Sequence, residues 1–183
     1  PNETFFDFMR AGSRLPVELE GDIYSLRACN DAAVHRLSDM MAEFDMTSLD
    51  PLAQFIFDAS HRATIAEIAR LPRGTWRFVD PLDGDGIDPG PIAFVATVTI
   101  GDGDMTIDFT GTSPQVRGAI NCVYPFTLST ALACVRSIID LAIPNNAGYF
   151  RPIKVIAPEG TIVNPRPPAA VAARGITGIR IAD

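Results

Sequence analysis

The sequence predicts an α+β fold, an antiparallel helix pair followed by a mixed β-sheet with a β-hairpin and a buried helix. Three observations predict it. Apolar residues recur at helical spacing through residues 1–72, their period drops to two beyond Thr75, and the long apolar run from Leu128 to Ile143 returns to helical length. The whole chain reads as a single segment, mainly helical over 1–72 and mixed α and β over 73–183.

The first helix is expected from about Val17 to Phe44. Leu19, Ile23, Leu26, Ala33, Leu37, Met40 or Met41, and Phe44 form one stripe, and Arg27, Asp31, His35 and Asp39 occupy the other side. A second helix is expected from Asp50, as N-cap, with Pro51 in its first turn, to about Arg70, where Leu71-Pro72 stops it. Its stripe is Leu52, Phe55 or Ile56, Ala59, Ala63 and Ala66, and the short Asp45–Leu49 connection makes the pair antiparallel.

Ile92, Phe94, Ala96, Val98 and Ile100 alternate with smaller or polar residues. After Gly101-Asp-Gly-Asp104, Met105, Ile107 and Phe109 do the same, which predicts a hairpin. On the second strand the pleat sets Asp108 and Thr110 opposite Phe109. A third helix, about Thr127 to Ala142, is apolar nearly all round, with Ser129, Arg136 and Asp140 as a thin polar edge, so it is expected to be buried on most sides. Strands at Ile153–Ala157 and Thr161–Val163 follow, before Pro165-Arg-Pro-Pro168 forces an extended passage.

At 183 residues the chain can bury a sizeable core, and 47% hydrophobic with 20% charged residues is the composition of a folded protein. A net charge of -7 and no Lys/Arg block exclude a nucleic-acid or anionic-membrane surface. Cys29, Cys122 and Cys134, with no C-x-x-C spacing, fit reduced thiols and a cytoplasmic setting. The Leu128–Ile143 run is too short, and too interrupted by Arg136 and Asp140, to span a bilayer. The start at Pro1 without a Met and the stop at Ile181-Ala182-Asp183 suggest an excised segment.

The densest polar cluster is Asp108-Phe-Thr-Gly-Thr-Ser-Pro-Gln115 with Gly118-Ala-Ile-Asn121. Its glycines can bring backbone N–H groups close to a ligand oxygen while Asp108, Thr110, Thr112 and Asn121 orient it. The same residues also make a tight turn whose Asp and Thr side chains satisfy their own backbone. Asp108-x-x-Gly-Thr is similar, one residue too long, to the phosphate loop of actin-like ATPases, but no second phosphate loop supports it.

Other candidates have simpler readings. Asp31, His35 and Asp39 lie one turn apart and offer metal-ligand chemistry, yet with Arg27 they are the ladder of a solvated helix face. His61 aligns with Phe57, Ile65 and Ile68 as a half-buried, hydrogen-bonded packing residue. Cys122 is a nucleophile only if a positive neighbour lowers its pKa, and is otherwise a small buried hydrophobe. Asp83, Asp85 and Asp88 lack the closing Glu of a calcium loop and read as acidic turns, and Arg174 reads as a surface residue.

Ordered along the chain are Gly21-Asp22, Leu71-Pro-Arg-Gly-Thr-Trp76, Asp83-Gly-Asp-Gly86, the Asp108–Gln115 and Gly118–Asn121 cluster, Ile143-Pro-Asn-Asn-Ala-Gly148, Arg151-Pro-Ile153 and Ala157-Pro-Glu-Gly160. In this series, from about Arg14 to Asp183, the chain resembles the hydantoinase B/oxoprolinase family, the large subunits of ATP-dependent lactam-ring hydrolases and ketone carboxylases. The resemblance implies a hydantoinase A-like companion subunit of actin fold that phosphorylates a lactam, imide or enol oxygen. Phosphorylation makes a resonance-stabilised amide carbon imidate-like and open to attack. It also implies a divalent metal and ATP in the full complex and a small lactam or ketone substrate. The family's Asn-Asp-Pro, Gly-Thr-His and His-x-Asp metal motifs are absent here, so this stretch is expected to hold no cofactor and to be inactive alone. Asp108, Thr110, Gly111 and Asn121 are then expected to line or brace the substrate side of the site.

Overall fold

The computed structural model describes residues 2–139 and 142–183. Among the described residues six helices and four strands run in the order α1 (Glu3–Gly12), α2 (Pro16–Glu43), α3 (Asp50–Ile68), β1 (Gly74–Gly84), β2 (Pro89–Ile100), β3 (Met105–Asp108), α4 (Tyr124–Ile138), α5 (Ala147–Phe150), β4 (Ile153–Ile156) and α6 (Arg174–Ala182). The contacts divide the chain into two units, residues 1–53 and 54–183.

In the first unit, α1 begins at Asn2, whose side-chain oxygen accepts from Phe5 N at 3.2 Å, with Glu3 in the first turn and Arg10 in the last. Phe6 stacks on Tyr24 of α2 at 5.4 Å, and Arg10 makes a two-pronged contact to Glu20 at 3.0 Å on each arm. This helix was not expected. α2 appears where its periodicity places it, but none of its residues is fully buried: Leu19, Ile23, Met40 and Met41 of the predicted stripe are half-buried, and Leu26, Ala33, Leu37 and Phe44 are exposed.

The second unit is built on a sheet of order β1-β2-β3-β4. The β1–β2 and β2–β3 pairs are antiparallel and β3–β4 is parallel, so the β3–β4 connection passes through α4 and α5. The expected hairpin is β2–β3, closed by Gly101 N donating to Asp104 O at 2.9 Å. A further hairpin, β1–β2, adds the edge strand Gly74–Gly84, in the stretch where the period drops to two but to which no separate strand is assigned from the sequence. The second expected strand near Thr161 is reduced to isolated bridges to Pro114 and Asn164, although Ile162 and Val163 are wholly buried.

The core gathers Ile68, Phe94, Met105, Ile107, Phe109, Val135, Tyr149, Ile162 and Val163. On α3 the buried positions are Ser60, Thr64 and Ile68, while Leu52, Phe55 and Ile56 of the expected stripe are exposed. Two hydroxyl residues can sit inside because Thr64 Oγ1 donates to Ser60 O at 2.8 Å and Ser60 Oγ accepts from Asn146 at 2.8 Å. α4 is likewise buried along one stripe, Thr127, Ala131 and Val135, and Ile138 is exposed. It starts earlier than expected because Pro125 fits the first turn and ends at Ile138; Asp140, assigned to its polar edge, lies outside the described residues.

α5 docks on α3 without clearance. A Cβ on Gly148 would lie 1.9 Å from the Phe57 carbonyl oxygen, while Asn146 caps the short helix and Arg151 pairs with Asp58 at 2.9 Å. Among the described residues no helix is long and apolar enough to cross a membrane.

Candidate functional site

β3 ends at Asp108, so the strand pleat sets the direction of Asp108 but not that of Thr110, which lies beyond it. Beyond it the chain turns through Gly111, whose φ of 98° is a left-handed conformation that suits glycine. Asp108 Oδ1 accepts from Thr110 N at 2.8 Å, joining two of the expected site residues in an Asx turn. Thr110 and Gly111 are exposed and Asp108 is half-buried, so this tip presents a carboxylate, a hydroxyl and a glycine backbone to solvent.

The turn is then fastened to β2. Thr112 Oγ1 accepts from Val95 N at 3.0 Å and donates to Val95 O at 3.1 Å, replacing the ladder bonds that β3 no longer supplies. Ser113 continues the stitch, its Oγ and its N each bonding the Ala93 backbone at 2.9 Å. Ile162 N donates to Ser113 O at 3.1 Å and Gln115 N to Gly160 O at 2.9 Å, which brings the Ala157–Gly160 motif alongside. The Gln115 side chain clasps the Arg166 backbone, accepting from its N at 2.7 Å and donating to its O at 3.3 Å.

Asn121 is wholly buried. Its Oδ1 accepts from Val116 N at 2.9 Å, and its amide nitrogen donates toward the carbonyls of Val116, Gly118 and Ala170 at 2.8, 3.1 and 2.9 Å. Two hydrogens facing three acceptors require one shared bond. Asn121 therefore braces the loop behind the exposed tip; it does not present its amide to solvent.

Asp85 does the equivalent work from the β1–β2 turn, and its role was not read from the sequence. Its Oδ1 accepts from Ile87 N at 2.9 Å and Asp88 N at 2.6 Å, and its Oδ2 from Gly118 N at 2.7 Å. The backbone N–H groups of Asp88, Gly118 and Ile87, in that order, hold the Asp85 carboxyl below its ordinary pKa. The signal was available, since Asp-Gly-x-Asp is Asx-turn chemistry, but its second partner lies in a distant loop. Asp88 pairs with Arg117 at 3.0 Å across the same junction. The expected acidic turn is present, closed by its own backbone.

Cys122 is buried beside this brace, and burial pushes its thiol pKa up against the smaller opposing effects of Thr127 and Arg174. That is the small-hydrophobe reading, opposed to an activated nucleophile. His61 is half-buried as expected, but its Nδ1 has no hydrogen-bond partner, which corrects the expectation of a bonded ring. Arg174 is exposed, its guanidinium 5.9 Å from the Phe126 ring.

Among the described residues no group of three or more His, Cys, Asp or Glu side chains converges to hold a metal ion. Among the described residues the divalent metal implied by the resemblance therefore finds no ligand set. A cavity of about 390 Å³ lies behind the sheet, lined by Phe94, Ile107, Phe109, Ala131 and Cys134, with the Asp80–Arg180 ion pair at 3.4 Å in its wall. By the alternation of β3 it opens on the side of Ile107, opposite Asp108. Asp108, Thr110, Gly111 and Asn121 do not line this cavity.

An α+β module in which the Asp83–Gly86, Gly118–Asn121 and Ala157–Gly160 motifs meet behind one glycine turn defines the class, and comparison with known proteins gives the family. The Hydantoinase B/oxoprolinase family model matches residues 1–183, and the chain belongs to that family. It is 29% identical over 195 residues to a Pseudomonas sp. (strain NS671) protein named as a "Putative D-/L-hydantoinase" subunit, covering 100% of this chain and 33% of that protein. It is 26% identical over 177 residues to the 5-oxoprolinase of Saccharomyces cerevisiae, covering 94% of this chain and 14% of that one. The ATP-dependent caprolactamase of Pseudomonas jessenii shares the fold, with a TM-score of 0.88 at 20% identity over 100% of this chain and 32% of its own. Acetone carboxylase in its nucleotide-free form matches with a TM-score of 0.61 at 18% identity over 75% of this chain and 20% of its own. The chain thus spans a third or less of these relatives.

Proposed function

We propose that the complete protein bearing this chain is the large subunit of an ATP-dependent lactam-ring hydrolase of the N-methylhydantoinase or 5-oxoprolinase type, working in the cytoplasm as a hetero-oligomer. Its companion, a hydantoinase A-like ATPase of actin fold, binds ATP and phosphorylates the lactam oxygen. This chain alone is inactive. Its own contribution is positional. Asp108, Thr110 and Gly111 form the tip that meets the activated substrate, and Asn121 holds the loop behind it.

The observation that carries the reading is the meeting of three other motifs of the series, Asp83–Gly86, Gly118–Asn121 and Ala157–Gly160, on the loop directly behind that tip. Asp85 of Asp83–Gly86 grips Gly118 N, Asn121 grips Val116, and Gln115 N reaches Gly160 O. Side chains locked by such a shell hold a substrate-facing turn in one geometry, which is what orientation in a catalytic site requires. A half-exposed carboxylate beside an exposed hydroxyl suits the N–H and C=O of a cyclic amide.

A second reading has its own support. The Asp108 carboxylate and the Asn121 amide are both engaged by backbone of the same segment, as in a non-catalytic core or assembly module. A ketone carboxylase is a third, supported by the shared fold with acetone carboxylase. The test is Asp108→Ala in the complete protein with its companion, offered ATP and a panel of lactams and ketones. Lost turnover with intact assembly supports the first reading, lost assembly the second, and carboxylation of a ketone the third. ATP and lactam added to this chain alone should give no product.

A further inference from the structure

The register of the sheet sets more than Asp108 on the face that carries the tip. Thr97 of β2 stands opposite Asp108, and Arg77 of β1 lies one strand further, opposite Thr97. On the other side β4 runs parallel to β3, with Lys154 beside Thr106 and Ile156 beside Asp108. Partners in register share a face of the pleat, so Thr97, Thr106, Asp108 and Lys154 look the same way, away from Ile107. The Thr75 and Thr99 hydroxyls, in the row of Thr106 and Lys154, meet at 3.1 Å on that face. Gly111 folds back over it, since a Cβ there would lie 3.7 Å from Val95, the next residue of β2 to point that way. The tip is a wall standing on a polar floor.

Lys154 is the only lysine of the sequence, and among the described residues it makes no ion pair. The acids near it are turned elsewhere. Asp104 lies against Gly101 in the hairpin loop, Asp108 Oδ1 takes Thr110 N, and Glu159, past the end of β4, holds Arg166 at 3.2 Å. From Lys154 to Asp108 is one strand across and two residues along, about 8 Å between Cα atoms from strand spacing and rise. A lysine stem covers that gap and leaves room for a ligand atom. The chain's net charge of -7 and the Asp108 carboxylate repel an anion, so a local cation is what lets one settle beside the tip. We propose that Lys154 is the anion-holding, specificity-determining residue of the substrate site, an inference that rests on the reading of the Asp108 tip as substrate-facing. The oxyanion is a carboxylate borne by the ring or the phosphoryl group placed on its oxygen, and both offer the ammonium the same charge-assisted hydrogen bond. A lysine that serves only to keep an edge strand unpaired has no kinetic effect.

The test is kcat and KM of the complete protein with its companion, carrying Lys154→Met or Lys154→Arg, on lactams with and without a ring carboxylate, beside Asp108→Asn. Lys154→Met should lower kcat/KM by about 10- to 100-fold at unchanged subunit stoichiometry, and Lys154→Arg should restore most of it. A loss confined to carboxylate-bearing lactams, and seen in KM, identifies the ring carboxylate as the anion; an equal loss on neutral lactams identifies the phosphoryl group. Wild-type kinetics in Lys154→Met while Asp108→Asn is slowed would overturn the Lys154 inference alone. Wild-type kinetics in both variants, or a wild type that accepts no lactam, would overturn the reading of the tip and this inference with it. A loss that Lys154→Arg fails to restore would give Lys154 a packing role and overturn the inference as well.

Discussion

Gly118 sits so close to Asp85 that a Cβ on it would lie 2.3 Å from the Asp85 carbonyl oxygen, while its N–H donates to Asp85 Oδ2 at 2.7 Å. The contact joins the β1–β2 turn to the loop behind the Asp108 tip. Because the obstructing atom belongs to the backbone, no rotamer change relieves it. Gly118→Ala should lower stability by about 1–3 kcal/mol, read as a shift in the urea midpoint at unchanged slope. An unshifted midpoint would show that the two loops are not in contact.

The same junction has a pH signature. The folded Asp85 pKa lies below the unfolded value, so the unfolded chain binds more protons as pH falls and stability rises with pH through that window. The Asp85 contribution is complete above an unfolded carboxylate pKa of about 3.9 and is lost as pH drops through the folded value. Asp58, lowered by Gln54 and then Arg151, titrates in the same direction in both proteins. Wild type and Asp85→Asn should therefore differ most near neutrality and converge in acid. A difference that stays constant down to pH 2 would contradict the hydrogen-bonded carboxylate.

Asn121 should be intolerant of an apolar replacement of similar size. Asn121→Leu leaves the Val116 N–H and the carbonyls of Val116, Gly118 and Ala170 without this partner, at about 1–3 kcal/mol for each group that finds no substitute. Loss of amide-exchange protection at Val116 together with a lowered thermal midpoint would bear this out. A variant as stable as wild type would deny the brace.

The cysteines should differ in reactivity. Cys29 is exposed, whereas burial excludes reagent from Cys122 and raises its pKa. A maleimide at neutral pH should label Cys29 first and leave Cys122 untouched until the chain unfolds. Labelling of both at one rate would show an open site at Cys122.

Where local pattern and tertiary demand agree, the chain is readable. The heptad spacing of α2 and the alternation of β2 and β3 put these elements in the right places. β1 was hidden because Arg77, Asp80 and Pro81 break its alternation, and an edge strand tolerates them. α6 was hidden because Gly175 and Gly178 are poor helix formers; Gly178 is needed where a Cβ would lie 2.3 Å from Phe126 Cε1, and Thr177 anchors the helix to Ile120 O. The buried faces of α3 and α4 were misjudged because Ser60, Thr64 and Thr127 satisfy their hydroxyls on backbone or a neighbouring amide. At the candidate site the residue types were legible, but partners such as Asp85 and Ala170 lie 33 and 49 residues away from those they bond.

The most direct test of the substrate-facing tip is kcat of the complete two-subunit enzyme carrying Asp108→Asn. Asparagine keeps an oxygen to accept from Thr110 N and removes only the charge, so the turn and the assembly persist. The account predicts a fall in kcat of about 100-fold or more at unchanged subunit stoichiometry. Turnover equal to wild type would contradict it.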